Sequence, residues 1–318
     1  MVKKYSVKII TPRKKEELMK KYHAIGLYEL KAAIHGTCVK FFTDNAEFKE
    51  MWEDNFEPMP DWIRPHARLF AVRDGKRLEV LYEPVSKTAI VKNCNYYGWI
   101  KSIALALVAD FMEDFTSEHR RYSIHGSFVD AGGKGIAIIG TPGSGKTTLT
   151  YGLLLDRNFN FLTDDWFFVR FMDNSIEVFS SEKNSYVRDD LAEIWPQLKE
   201  KLRDVKSDSS KRAIVDVKRL FGADKVRKES TLSLIVILTR EKDREPMKKM
   251  SRKEALNFIL KHDFCNPHQL IRSRARLAQR KKFFSELFGK VPVYLLNTIE
   301  TPSKSLERLK ELIRLHIG

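Results

Sequence analysis

A glycine-rich segment between an apolar run and a helix-like stretch constrains this chain more than any other feature. Residues 140–147 fit the pattern G-x-x-x-x-G-K-[ST], and the apolar residues 135–139 before them are typical of a buried strand. Glycines let consecutive backbone N–H groups turn inward as an anion nest, and the following helix directs its positive end at the same anion. The segment predicts a phosphate-binding P-loop and a nucleoside triphosphate site. Its residues are Gly140, Thr141, Pro142, Gly143, Ser144, Gly145, Lys146, Thr147 and Thr148.

Composition places the chain among globular proteins. Its 318 residues suffice for two domains, and 43% are hydrophobic and 31% charged. The sequence has no apolar run of about 18 residues and no apolar signal core near its beginning, so we expect no membrane span and a cytoplasmic location. The three cysteines, Cys38, Cys94 and Cys265, lie far apart, which argues against a disulfide framework or a structural zinc site.

The formal net charge is +15, and much of it lies in residues 240–290, which hold fifteen lysines and arginines against six aspartates and glutamates. Such a region attracts nucleic acid, an acidic protein or a phosphorylated ligand. The alternative interpretation is a solvated helix face on a basic protein. Both interpretations place the run at the surface. Its densest part consists of Arg272, Arg274, Arg276, Arg280, Lys281 and Lys282.

The first part of the sequence, residues 1–118, predicts a smaller α+β domain. Its predicted strands are 5–10, 36–42, 69–73, 78–82 and 87–91, and its predicted helices are 14–22 and an amphipathic helix at 97–115. The dipeptide Asp74-Gly75 predicts a hairpin between the strands at 69–73 and 78–82. No catalytic constellation stands out in this half, so we expect it to be structural or to grip a substrate or partner.

Residues 119–318 predict an α/β domain built on a mixed sheet, because strands alternate with helices and with strand pairs. The predicted strands are 121–130, 135–139, 159–163, 166–171, 176–179, 232–239 and 291–296, with a hairpin around residues 173–174. The predicted helices are the one after the P-loop, 189–202 with a break at Pro196, 251–262 and 302–316. A polar loop at 205–212 could close over a site.

Two carboxylates follow the P-loop at a spacing that suits phosphoryl transfer. Asp164 and Asp165 stand at the end of a predicted strand, where one could bind Mg²⁺ together with the Thr147 hydroxyl and the other could act as general base. Lys146 would contact the β- and γ-phosphates. His125 lies on the strand predicted to pair with the P-loop strand; from spacing alone it is either a hydrogen-bonded structural residue or a contact to phosphate or acceptor.

These residues together resemble the C-terminal catalytic domain of the HPr kinase/phosphorylase family, whose nucleotide-binding core is shared with phosphoenolpyruvate carboxykinases. The matching pieces are His-Gly-x-x-Val-Asp at 125–130, the P-loop at 140–148 and Leu-x-Asp-Asp at 162–165, within a resemblance that covers about residues 120–315. The resemblance implies ATP-dependent phosphorylation of a serine hydroxyl with Mg²⁺, His125 near acceptor or phosphate, and a homo-oligomer. The family's glycine-rich signature is not evident at 180–188, so HPr as substrate and dephosphorylation stay open.

The predicted function is therefore an ATP-dependent kinase that phosphorylates a hydroxyl of a protein or a small molecule. One alternative is a nucleic-acid-directed phosphotransferase or nucleotide-gated nucleic-acid binder, which depends on the basic region at 240–290. Another is a nucleotide sensor without catalysis. A kinase also needs a second cation near the transferring phosphoryl, for which Arg188, Lys211 and Arg212 are candidates.

Overall fold

The structure is a computed structural model that describes residues 5–114, 116–205 and 207–317. Among these residues, the first part of the chain forms a seven-stranded mixed sheet in the order β1-β6-β7-β5-β3-β2-β4. Its strands are β1 (Val7–Ile9), β2 (Tyr28–Ile34), β3 (Thr37–Thr43), β4 (Glu57–Pro58), β5 (Ala67–Val72), β6 (Glu79–Glu83) and β7 (Thr88–Lys92). Helices α1 (Pro12–His23) and α2 (Ala46–Asn55) begin at side-chain caps from Thr11 and Asn45.

The hairpin predicted at Asp74-Gly75 is wrong. β7 lies between β5 and β6, parallel to β5 and antiparallel to β6, so the hairpin of this region is β6–β7. The Asp74 carboxylate accepts hydrogen bonds from Lys21 and Tyr22 of α1, and Asn93 Nδ2 donates to the Asp74 carbonyl. Turn residues specify that the chain reverses, but these contacts and β7 decide which strand lies next to β5.

The described part of the chain also forms an eight-stranded mixed sheet. Strand pairing follows the order β10-β8-β11-β12-β15-β17-β16, and β9 pairs with both β8 and β15. The five strands β8, β11, β12, β15 and β9 therefore form a closed ring of strand pairs. Its strands are β8 (Arg121–Ala131), β9 (Lys134–Gly140), β10 (Asn160–Thr163), β11 (Trp166–Phe171), β12 (Ile176–Ser180), β15 (Glu229–Thr239), β16 (Met247–Met250) and β17 (Val293–Asn297). β13 (Ser185–Arg188) and β14 (Arg212–Val215) pair separately. The mixed α/β architecture and the β11–β12 hairpin agree with the prediction.

Helices surround this second sheet. They are α4 (Thr116–His119), α5 (Lys146–Leu154), α6 (Leu191–Ile194), α7 (Val217–Phe221), α8 (Arg252–Lys261), α9 (Arg274–Lys290) and α10 (Pro302–Ile317). The chain breaks at Pro196 as expected, but α6 is far shorter than the helix predicted there. Arg212 of the predicted loop at 205–212 belongs to β14, and Lys206 lies outside the described residues. No described helix is long and apolar enough to cross a membrane.

Helix α3 (Tyr97–Asp114) lies between the two sheets. The sequence predicts an amphipathic helix, but nearly all of its residues are buried, including Lys101, Asp110 and Glu113. The reason is that both faces are covered: one apolar cluster joins α3 to strands of the first sheet and to Trp166 and Phe168 of the second. The last residue of the predicted helix, Phe115, lies outside the described residues.

The basic run does not form one exposed face, so both surface interpretations are wrong for two of its members. Arg280 Nη1 lies 2.5 Å from Glu113 Oε1, and Arg276 pairs with Asp110 at 3.1 Å and with Asp114; both arginine side chains are buried. The other members are exposed: Arg272, which pairs with Asp263, and Arg274, Lys281 and Lys282. Two members of the run, Arg276 and Arg280, therefore fasten α9 to α3 and are not available to bind nucleic acid.

Candidate active site

The P-loop segment joins the end of β9 to the start of α5 and depends on its glycines. Gly143 and Gly145 have φ values of 83° and 95°, in the left-handed region that residues with a Cβ atom avoid. A Cβ atom on Gly140 would lie 2.5 Å from Ser144 Oγ, so this position needs glycine for space. The loop thus wraps closely around the beginning of α5.

Lys146 is the first residue of α5, and its ammonium lies back over the loop. Nζ donates to the carbonyl oxygens of Gly140 at 2.9 Å and Thr141 at 3.4 Å. Burial lowers the pKa of Lys146, although Asp165 opposes the shift. An ammonium held only by neutral carbonyls would gain from exchanging them for phosphate oxygens.

His125 and Asp165 are brought together by the pairing of β8 with β11. His125 Nε2 lies 3.0 Å from Asp165 Oδ1, and Nδ1 lies 2.7 Å from the carbonyl oxygen of Cys265. Each ring nitrogen thus faces an oxygen atom, which fixes the orientation of the imidazole ring. The predicted placement of His125 on the strand beside the P-loop strand is confirmed.

The other oxygen of Asp165 contacts Lys101, which sequence reasoning missed. Lys101 Nζ lies 2.5 Å from Asp165 Oδ2 and 3.0 Å from Glu182 Oε1, and the lysine side chain is only 3% exposed. Burial would raise the pKa of Asp165, but Lys101 and His125 outweigh it and hold that pKa well below its usual range. Burial would lower the pKa of Lys101, but its carboxylate partners raise it. A signal existed: Lys101 is the only charged residue between positions 97 and 109.

Glu182 completes this buried group and was also missed. It accepts from Asn55 Nδ2 at 3.0 Å as well as from Lys101, which ties α2 and α3 to the segment after β12. Burial raises the pKa of Glu182, with Lys101 opposing the shift. Nothing in the local sequence around Glu182 marks it, because its partners are far away along the chain.

Asp164 has a different environment from its neighbour. Its side chain is buried, and its backbone carbonyl accepts from Ser127 Oγ at 2.8 Å, which fixes the end of β10 against β8. No described cation lies within ion-pair distance of its carboxylate. Burial raises the pKa of Asp164 to about 7, against the opposing effect of Lys101.

These groups face a common cavity of about 180 Å³. Tyr96 and Trp99, from the first half of the chain, line it together with residues of the P-loop. Of the three candidate cations, Arg212 lines the cavity, whereas Arg188 is exposed and pairs with Asp190 at 3.0 Å, and Lys211 is exposed and does not line it. The cavity also contains Lys101, His125, Pro142, Gly143, Lys146, Thr147, Asp164, Asp165, Tyr186 and His268 in its wall.

The donor set suits a divalent cation that arrives with a nucleotide. In the described ranges, no cluster of three or more His, Cys, Asp or Glu side chains could hold a metal ion unaided. Thr147 and the unpaired carboxylate of Asp164 nevertheless line one cavity beside the P-loop. One hydroxyl and one carboxylate are the protein's usual share of an Mg²⁺ site whose other ligands are phosphate oxygens and water.

Comparison with known proteins gives matches to HPr kinase/phosphorylases. No family model matches the chain. The HPr kinase/phosphorylase of Polaromonas naphthalenivorans is 30% identical over 143 residues, which are 44% of this chain and 39% of that protein. The HPr kinase/phosphorylase of Variovorax paradoxus is 31% identical over 149 residues, 45% of this chain and 40% of that protein. The solved HPr(Ser) kinase/phosphatase of Coxiella burnetii is 18% identical, with 61% of this chain and 89% of that chain covered and a TM-score of 0.36.

The chain thus spans about two fifths of the length of the curated relatives that it matches. The sequence matches confirm the resemblance inferred from the motifs. Over the matched residues, this chain is related to the HPr kinase/phosphorylase family.

Proposed function

We propose that the chain is an ATP-dependent phosphotransferase that moves the γ-phosphoryl group to a hydroxyl. One observation carries the proposal: a single cavity holds the P-loop lysine, Lys146, together with Asp164, Asp165 and His125. Phosphoryl transfer requires these functions in one place, namely a phosphate clamp, a metal ligand and a group that receives the acceptor proton. The named relatives are kinases, which supports the same class of reaction.

The two aspartates have different contacts, and we assign them different roles. Asp165 already contacts Lys101 and His125, and the Lys101 ammonium would repel a divalent cation. Asp164 has no such partner in ion-pair range, so it would hold Mg²⁺ with Thr147. When bound, Mg²⁺ supplies charge neutralisation at the β- and γ-phosphate oxygens.

Asp165 is then the group that receives the acceptor proton. Lys101 and His125 each hold one of its oxygens, so the carboxylate keeps one orientation and stays ionised. In phosphoryl transfer, the base acts by positioning the hydroxyl more than by strong proton affinity, so a carboxylate of low pKa is adequate. Lys146 would leave its loop carbonyls to bind the phosphates, and the N–H groups of 143–147 would point at them.

The test is transfer of γ-labelled phosphate from ATP with Mg²⁺ into an extract separated into protein, nucleic acid and small molecules. Lys146→Ala and Asp165→Asn should abolish labelling above background. Lys134→Ala is the matched control, because Lys134 is exposed at the opposite end of the same strand. Absence of labelling by the parent chain, although it binds ATP, would refute the proposal and leave a nucleotide sensor. Label in the nucleic-acid fraction would restore the alternative acceptor class. Homo-oligomerisation and dephosphorylation stay predictions.

A further inference from the structure

Part of the cavity wall is aromatic, and two of its rings, Tyr96 and Trp99, lie at the start of α3. The rings of Tyr96 and Trp99 meet edge to face with centroids 5.6 Å apart, and Tyr96 lies 6.2 Å from Tyr186. The guanidinium of Arg212 stands over Tyr186 at 5.5 Å. Three aromatic rings and one cation thus form part of the wall of the cavity that also contains Lys146 and Asp165.

Arg212 differs from the other arginines near this part of the fold. Arg276, Arg280 and Arg188 each have a carboxylate partner, whereas the Arg212 guanidinium has none within ion-pair distance in the described residues. Its hydrogen bond is to the carbonyl oxygen of Tyr186, at 3.5 Å. A guanidinium fork that lines a cavity without a carboxylate partner is suited to bidentate binding of an anionic oxygen pair.

Size limits what can share the cavity with a phosphoryl group. Its volume of about 180 Å³ is below the range of roughly 300–1,000 Å³ that is typical of pockets for drug-sized ligands. The Tyr96 ring lies against Gly98, where a Cβ atom would be 2.5 Å from the phenol oxygen, so this placement of the ring depends on glycine. The space left after the γ-phosphoryl group suits a molecule of a few carbon atoms.

We propose that the phosphate acceptor is a small hydroxy acid, whose carboxylate binds Arg212 and whose hydroxyl faces Asp165. The inference rests on the proposed function. The hydroxyl oxygen forms a bond to the γ-phosphorus as the bond from that phosphorus to the β–γ bridging oxygen breaks. The hydroxyl proton passes to the Asp165 carboxylate, and the products are a phosphorylated hydroxy acid and ADP. Tyr96, Trp99 and Tyr186 enclose the short carbon skeleton and exclude water.

The competing source of anionic oxygens for Arg212 is the transferring phosphoryl group itself. The two sources separate kinetically, because a guanidinium that binds the acceptor carboxylate affects acceptor KM, whereas one that acts only on the transferring phosphoryl affects kcat. The matched control for Arg212 is Arg188. The two residues are register partners on β13 and β14, but the Arg188 side chain is 65% exposed and outside the cavity.

The experiment uses the full chain with γ-labelled ATP, Mg²⁺ and three- or four-carbon hydroxy acids, among them serine, glycerate and homoserine. Ethanolamine and glycerol serve as counterparts without a carboxylate. We expect transfer to at least one hydroxy acid and at least tenfold less to its counterpart. Arg212→Gln should raise acceptor KM tenfold or more with ATP KM unchanged, Arg212→Lys should restore part of the loss, and Arg188→Gln should match the parent.

Three outcomes would overturn the inference while the proposed function stands: transfer to a protein in the extract but to none of the hydroxy acids, equal transfer to the compounds without a carboxylate, or an Arg212→Gln defect confined to kcat. A chain that binds ATP but transfers phosphate to no fraction of the extract and to no added compound would refute the proposed function itself, and the inference with it.

Discussion

Replacing Lys101 with methionine removes the ammonium that two buried carboxylates share. Its Nζ lies 2.5 and 3.0 Å from oxygens of Asp165 and Glu182. At an effective dielectric constant of about 20, each contact is worth roughly 6 kcal/mol of Coulomb attraction, offset by several kcal/mol of lysine desolvation. Removal of one partner from such a group typically costs about 3–5 kcal/mol, because the remaining charges stay buried. We expect Lys101→Met to lose that much stability.

A second buried lysine provides the control. Lys87 contacts Asp110 and Asp114 with similar burial, at the other end of α3. Asp110 follows Lys101 by nine residues, which is about 13 Å along a helix. Lys87→Met should therefore lose stability to a comparable extent without changing the cavity. Only Lys101→Met should also lower phosphoryl transfer, by about a hundredfold, because Asp165 loses the donor that orients it.

The measurements are urea unfolding of both variants and the parent, and transfer rates under conditions in which each variant is folded. In thermal unfolding, a loss of 3–5 kcal/mol would lower the Tm of a chain of this size by about 5–7 °C. If Lys101→Met unfolds within about 1 kcal/mol of the parent, the ion pairs do not carry the stability assigned to them. If both lysine variants lose transfer equally, Lys101 has no special connection to the site.

Three further predictions concern other parts of the molecule. Burial lowers the pKa of His35, which stacks on Phe168, to about 3. Below pH 6.5 the unfolded chain therefore binds a proton at this residue that the folded chain does not bind, and the free energy of unfolding falls with pH. In urea titrations between pH 7.5 and 5, this free energy should fall by about 2 kcal/mol more in the parent than in His35→Asn. Arg280→Met should cost about 3–5 kcal/mol in the same assay, whereas an exposed arginine would change stability by less than about 0.5 kcal/mol. Gly98→Ala should displace the Tyr96 ring and alter acceptor KM, with ATP affinity measured by calorimetry unchanged.

The parts of the site that the sequence predicts are those held together locally. The P-loop lies within one strand–loop–helix unit, and Asp164 and Asp165 follow the next strand. His125 lies fifteen residues before Gly140, on a strand that folds back against β9. In each case, a short connection and the strong preference of neighbouring strands to pair leave few arrangements. For these residues, closeness along the sequence therefore predicts closeness in the fold.

The parts that the sequence does not predict depend on distant partners. Lys101 meets Asp165 and Glu182 across 64 and 81 residues, and no local pattern encodes those pairings. The prediction that the basic run lies at the surface was wrong at Arg280 for the same reason. Charge alone does not indicate that Arg280 is buried against Glu113, which lies 167 residues away in the sequence. In both cases one partner lies on α3. The sequence predicts a helix with one apolar face, so it does not indicate that the charged residues of α3 are buried as well.

The division of the chain at residue 118 stays a prediction, and α3 provides a demanding test of it. A fragment of residues 119–318 would lack the helix against which Trp166 and Phe168 pack, and it would leave Asp165 and Arg280 without their buried partners. We expect this fragment alone to expose apolar surface, bind a hydrophobic dye and fail to bind ATP. Co-expression with residues 1–118 should restore both folding and binding. If the fragment unfolds cooperatively at the parent's urea midpoint and binds ATP with the parent's affinity, residues 119–318 fold autonomously and the nucleotide site does not depend on α3.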